Sequence, residues 1–174
     1  QEKGHRVKVF TLGTEDCCKY PNSVGDMLFR TFLFQGIEVV EFRYRKTPFG
    51  LFYKRMVSDD TCMRRFADFF LQKDCPDIVH CAYPQPMATF LQVCVERRIP
   101  YIVTLTDFNI LCHYATMVEP DGHFCPGCKQ GARCKTRCDT HTVPNFLERY
   151  KTAGKLLQSA SAVTVPSTFV ASVI

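Results

Sequence analysis

Apolar residues recur along this chain in two rhythms, short β-branched runs and stripes of helical spacing, and the two alternate. Val7, Val9 and Thr11 suit a strand over 6–12 that ends at Gly13, and Gln1 to Gly4 reads as a helix tail closed by its glycine. Leu28, Phe32, Leu33 and Phe34, then Ile37, Val39 and Phe42, flank a Gln35-Gly36 turn, which predicts a hairpin over 27–45. Asp59 or Asp60 caps a helix with Met63, Phe66, Ala67 and Phe70 on one face. A strand at Ile78 and Val79, a helix facing inward through Met87, Phe90, Leu91, Cys94 and Val95, and a strand over 101–105 follow. Pro144 opens a further helix, inward at Phe146, Leu147, Tyr150, Ala153 and Leu157, and a last strand over 162–165 leads to a cap at Ser167. The aromatic-rich connection 47–58 reads as packing, and no internal repeat interrupts the series. The alternation predicts an α/β fold, a three-layer Rossmann-like domain with a mostly parallel sheet, spanning 1–174 as one domain.

A strand, a helix and a strand within 77–107 must pair in parallel through a right-handed crossover. Parallel α/β sheets bind ligands beyond the carboxyl ends of their strands. The residues standing there are Gly13, His80, Tyr83, Thr106, Asp107 and Ser167. Two plainer readings stand beside this: His80 as a satisfied polar strand end, and Asp107 as the N-cap of a helix over 108–114.

Charge changes this picture little. The net charge of +5 is spread over Arg43/Arg45/Lys46, Lys54/Arg55, Arg64/Arg65 and Arg97/Arg98, which read as solvated faces. They permit peripheral contact with an anionic membrane without requiring it, and no apolar run is long enough to span a bilayer. No glycine-rich phosphate fingerprint follows Leu12, and no nucleophile elbow of the G-x-S-x-G type occurs.

Cysteine changes it more. Of eleven cysteines, an odd number that cannot pair completely, six are scattered and five form a C-x12-C-x2-C-x5-C-x3-C pattern at Cys112, Cys125, Cys128, Cys134 and Cys138. Scattered thiols with one cluster argue for a reducing compartment, the cytoplasm, and for a bound metal. The CPGC bend suits two thiolates aimed at one ion, with Lys129, Arg133, Lys135 and Arg137 near to offset their charge. We therefore expect a cysteine-rich metal-binding insertion over 112–141, with His113, His123 and His141 as substitute ligands. Zinc is the leading ion and an iron–sulfur cluster the alternative; the role is structural, since four thiolates leave no open position. Spacing favours Cys125 and Cys128 as one pair of ligands. No clustered basic helix face accompanies the loop, so nucleic acid is not an expected partner.

Four stretches in order, EKGHRVKVFTLG, PDIVH, IPYIVTLTDFNILC and SASAVTVPSTFVAS, resemble the N-terminal domain of family-4 retaining glycosyltransferases of GT-B fold. Those enzymes read Pro-Asp-Val-Val-His, Val-Thr-Leu-His-Asp and Ala-Asp-Ala-Val-Ile-Ala-Pro-Ser at the last three. The resemblance covers nearly the whole chain. It implies transfer of a sugar from a nucleotide-sugar donor to a glycan, lipid-linked or small-molecule acceptor. This domain would line the acceptor side, and a C-terminal domain outside this sequence, with a Glu-x7-Glu motif, would hold the donor. It also implies that this piece alone transfers no sugar, and that the family's glycine-rich loop falls before Gln1. The resemblance prefers Cys112, Cys125, Cys134 and Cys138 as the cysteine set. Two family histidines are Thr106 and Ala82 here, which favours as alternative a non-catalytic binding or regulatory domain with a structural metal loop.

Overall fold

The structure, a computed structural model, describes residues 4–14, 16–46, 59–138 and 145–174. The helix tail expected before Gly4, the connection 47–58, His141 and Pro144 lie outside the described residues. The chain divides into two compact units, Gln1–Phe49 and Gly50–Ile174, each with its own sheet, where the alternation of elements predicted one domain around one sheet.

The first unit is a four-stranded sheet in the order β1-β4-β3-β2, built from β1 (Lys8–Leu12), β2 (Asn22–Val24), β3 (Met27–Phe34) and β4 (Ile37–Tyr44). Strand β1 pairs in parallel with β4, whereas β3 pairs antiparallel with both β4 and β2. The predicted hairpin is present, and it is the reason this sheet is mixed. Gln35 and Gly36 take φ of 49° and 76°, the left-handed pair that a two-residue turn between twisted strands requires. Met27, Val40 and Phe42 are fully buried at its centre.

The second unit holds β5 (Val79–Cys81), β6 (Tyr101–Thr104) and β7 (Ala162–Thr164), all parallel, in the order β5-β6-β7. Helix α1 (Thr61–Asp74) starts at Asp60, whose carboxylate accepts from the amides of Cys62 and Met63 at 2.8 and 2.9 Å. It buries Met63, Phe66, Ala67, Phe70 and Leu71, the predicted stripe. Helix α2 (Ala88–Glu96) makes the crossover from β5 to β6 and buries Phe90, Leu91, Val93 and Cys94. Val95, read as inward, is 43% exposed because the stripe follows Val93 instead. After the short helix α3 (Ala132–Arg137) comes α4 (Phe146–Ser159), capped by Asn145 through the amide of Glu148, and then α5 (Thr168–Val173).

Helix α4 buries Ala153 as its apolar residues predicted, with Phe146 and Leu157 half-buried, but its inward face is rotated. Arg149, Thr152, Ala153 and Leu156 are buried, whereas Leu147 and Tyr150 are 45% and 38% exposed. The reason lies in Arg149, which donates to the carbonyls of Asn109 and Ile110 and draws the helix round. The buried side of the sheet meets α4 directly, where Tyr101 Oη donates to the Leu156 carbonyl at 2.5 Å. On the opposite side Ile78 and His80 are exposed, as are Ala162 and Thr164. Among the described residues this unit is thus two layers rather than the expected three.

Candidate functional site

The carboxyl ends of β5, β6 and β7 lie along one edge because the three strands run parallel, in the register His80↔Ile102↔Ala162 and Cys81↔Val103↔Val163. A polar track crosses the exposed side of the sheet there. His80 Nε2 and Thr104 Oγ1 are 2.7 Å apart, and Thr104 Oγ1 and Thr164 Oγ1 are also 2.7 Å apart. One hydroxyl thereby joins all three strands.

A second polar group sits where the chain leaves β6. No helix forms over 108–114. Asp107 instead caps a single turn: Oδ1 accepts from the amide of Asn109 at 2.7 Å, and the Cys112 amide closes on the Phe108 carbonyl. Asn109 Nδ2 donates to Asp107 Oδ2 at 2.6 Å and to Tyr83 Oη at 2.8 Å, joining the loop after β5 to the loop after β6. Burial raises the Tyr83 phenol above its ordinary range, and the Asp107 carboxylate adds to this. In the same β5 loop Gln85 is buried, and its Nε2 has no hydrogen-bond partner among the described residues. Burial also pushes the Cys81 thiol up to about 11, which disfavours its thiolate form.

The residues expected at the edge are therefore placed as follows. His80 lies within β5, and Tyr83 and Asp107 are joined through Asn109. Thr106 is exposed beside Asp107. Ser167 caps α5, its Oγ accepting from the amide of Val170 at 3.3 Å. Gly13 belongs to the first unit, where its amide donates to the Phe42 carbonyl and a Cβ would meet Tyr20 Oη at 1.9 Å. That glycine is needed for close packing. Asn109, Gln85 and Thr104 escaped the sequence reading, because single polar residues at strand ends carry no spacing signal.

The five clustered cysteines gather in one neighbourhood. Cys112, Cys125 and Cys134 are buried, Cys128 and Cys138 half-buried, and all are free thiols. Burial first, then Cys128, Cys138, Cys112 and Cys125, push the Cys134 thiol up to about 12. Cys138 is raised by burial and then by Cys112 and Cys125, and it shares a hydrogen bond with Cys134. Among the described residues, no group of three or more His, Cys, Asp or Glu side chains is disposed so as to hold a metal ion. Two of the basic residues expected to offset thiolate charge also pair with carboxylates, although Arg133 reaches Cys125 as well. Arg133 and Arg137 reach the buried carboxylate of Glu119 at 2.5 and 3.0 Å, and Arg137 also pairs with Asp121. His113 is buried against Tyr114 and Phe146, with ring centroids 4.0 and 5.1 Å away.

Among the described residues no helix is long and apolar enough to cross a membrane. No family model matches the chain, no curated protein matches it, and no solved structure matches it.

Proposed function

We propose that this chain is the acceptor-side domain of a retaining glycosyltransferase of GT-B type. The observation that carries the reading is the polar edge of the parallel sheet, where His80, Thr104 and Thr164 form one chain and Asp107, Asn109 and Tyr83 another. Hydroxyl, amide, imidazole and carboxylate groups in such density suit a polyol, which offers many donors and acceptors and little apolar surface. Three of the stretches that resemble the glycosyltransferase family contain His80, then Thr104, Asp107 and Asn109, then Thr164.

In this reading Asp107, held on one side by the Asn109 backbone and on the other by its amide, accepts a hydrogen bond from an acceptor hydroxyl and orients it. His80 and Tyr83 fix neighbouring hydroxyls. Stabilisation of the departing nucleotide pyrophosphate falls to a separate donor-binding domain, without a metal at the reacting centre. The acceptor is a glycan, a lipid-linked sugar or a small polyol, and peripheral membrane contact belongs with the lipid-linked case.

One observation favours a second reading, a saccharide-binding domain without transferase chemistry. Thr106 and Ala82 stand where the resembling enzymes carry histidines, which removes two imidazoles from the edge. Both readings place saccharide at the edge, and one titration tests that. Mono- and oligosaccharides added to the chain should shift amide resonances at His80, Tyr83, Asp107 and Asn109, and His80→Ala should weaken binding. Shifts confined to other surfaces, or none with any saccharide, would count against it. Transfer then separates the two readings. With a donor-binding domain supplied, labelled sugar passes to the bound acceptor in the first reading and stays on the nucleotide in the second.

A further inference from the structure

Apolar side chains exposed singly need no account, but a connected group of them marks a binding surface. Such a group stands beside the strand-end edge. Phe108 directly follows Asp107, and Phe169 comes two residues after Ser167. Their ring centroids are 6.3 Å apart and the rings nearly perpendicular, at 87°. Phe124, from the loop after β6, brings its centroid to 6.0 Å from that of Phe169, with the rings inclined at 48°. Val118 joins them, because an antiparallel bridge to Phe124 puts the two side chains on one face. Phe124 and Phe169 are 52% and 55% exposed and Val118 42%, whereas Phe108 is half-buried.

This patch has a foundation. Phe108 packs against the buried cluster of Cys112, Met117 and Cys125, and so does Val173, one helical turn beyond Phe169 in α5. The turn after β6, the loop and α5 are thereby fixed against one another. Phenyl rings at these separations also attract each other, so the surface is formed before a ligand arrives.

We propose that Phe108, Val118, Phe124 and Phe169 take the hydrocarbon part of an amphiphilic acceptor whose sugar head lies on the polar edge. The proposal rests on the saccharide reading of that edge, and it selects a lipid-linked sugar over a free glycan or a small polyol. Continuity carries it: Asp107 and Phe108 are neighbours, so polar and apolar surfaces adjoin at the end of β6. A second sugar ring fits this surface poorly. Phenylalanine and valine bring no hydrogen-bonding group, and a sugar's hydroxyls would lie unpaired against them. Rings set at 87° and 48° to each other share no flat face for a pyranose, whereas a flexible chain follows such relief.

The test titrates the whole chain with methyl, hexyl and octyl β-glucosides, each kept below micelle formation, and reads affinity and side-chain resonances. Affinity should rise roughly 10- to 100-fold from methyl to octyl, since each buried methylene adds to it. Shifts at Phe108, Phe124 and Phe169 should grow with the tail, while those at His80 and Asp107 are common to the series. Phe124→Ser and Phe169→Ser should each remove most of the tail-dependent gain and leave the methyl glucoside's shifts unchanged. Phe169→Leu, still apolar, should keep most of the gain. Equal affinity across the series, with the edge shifts intact, would overturn the platform and leave the saccharide reading standing. Tail-dependent shifts at the phenylalanines without any shift at the edge would uphold the platform and sink the saccharide reading. A loss in Phe169→Leu as large as in Phe169→Ser would overturn the hydrocarbon assignment in favour of ring stacking. Self-association of the parent that Phe169→Ser abolishes, with no gain from the tail, would overturn the proposal and give the patch to a second copy.

Discussion

The strand–helix–strand segment from Val79 to Thr104 and the loop that follows it, 105–138, are held together by different means. In the first, Leu91, Cys94 and Val103 are fully buried and Phe90, Val93 and Tyr101 nearly so, and hydrophobic burial with backbone pairing accounts for the fold. In the second, Leu105 and Ile110 are buried at its start, and beyond them the described residues hold a small apolar cluster of Met117 with Cys112 and Cys125, ringed by a few half-buried side chains. There the chain relies on Glu119 gripping Arg133 and Arg137, on buried thiols, and on Arg149 reaching in from α4. Its backbone takes left-handed conformations at Ala115, Met117, Lys129 and Gln130, each unfavourable for a residue with a Cβ. A segment of that kind keeps its shape only while its polar partners remain. Asn109, which organises the edge, lies where the two regions meet.

Substitutions can separate the two. The largest expected effect is in the apolar region. Leu91→Ala removes a fully buried side chain and should lower global stability by about 2–5 kcal/mol in denaturant unfolding, with unfolding still cooperative across the second unit. Loss of structure in the loop alone would break the comparison.

A smaller and more local effect is expected from Glu119→Gln, which keeps the shape but removes the charge shared by Arg133 and Arg137. Amides of 115–138 should exchange faster, while those of β5, β6 and α2 keep their protection. Equal loss in both regions would show that the loop is not separately held.

These regions were also unequally legible in the sequence. The alternation around Met63, Phe66 and Phe70, the Asp60 cap and the Gln35-Gly36 turn were readable because period and turn chemistry are local properties. Two sheets rather than one, and two layers among the described residues of the second unit, were not readable, since strand partnership is set by contacts remote in sequence. The inward turn of Arg149, which leaves Leu147 and Tyr150 exposed, was not readable, because its partners are the carbonyls of Asn109 and Ile110, about forty residues earlier. His80, Tyr83 and Asp107 were legible as strand ends. Asn109, which joins two of them, was not.

Within the edge, Thr104→Val deletes the hydroxyl between His80 and Thr164 while keeping the β-branched shape. We expect a loss of about 0.5–1.5 kcal/mol in chemical unfolding and, in nuclear magnetic resonance, a changed environment for the His80 ring. An unchanged His80 signal would contradict the track.

The smallest effect concerns pH. Arg64 grips Glu96 with two bonds, 2.6 and 3.2 Å, and this holds the Glu96 carboxyl below its usual pKa. Because the folded pKa is depressed, the contribution is present above the ordinary glutamate range and fades as pH falls through the lowered folded value. For an exposed pair it amounts to a few tenths of a kcal/mol. Comparing the acid unfolding of Glu96→Gln with the parent should show that gap closing at low pH; a gap that widens there would contradict the sign.

The central claim is that the loop and the strand-end edge form one mechanical unit, joined by Arg149 and distinct from the apolar region beneath. Residue-resolved hydrogen exchange of Arg149→Met against the parent tests it most directly. The account predicts faster exchange over 107–138 and a loosened Asp107–Asn109–Tyr83 group, with β5, β6 and α2 unchanged. Unchanged exchange at Asn109 and in the loop, or a uniform increase that includes β6, would contradict it.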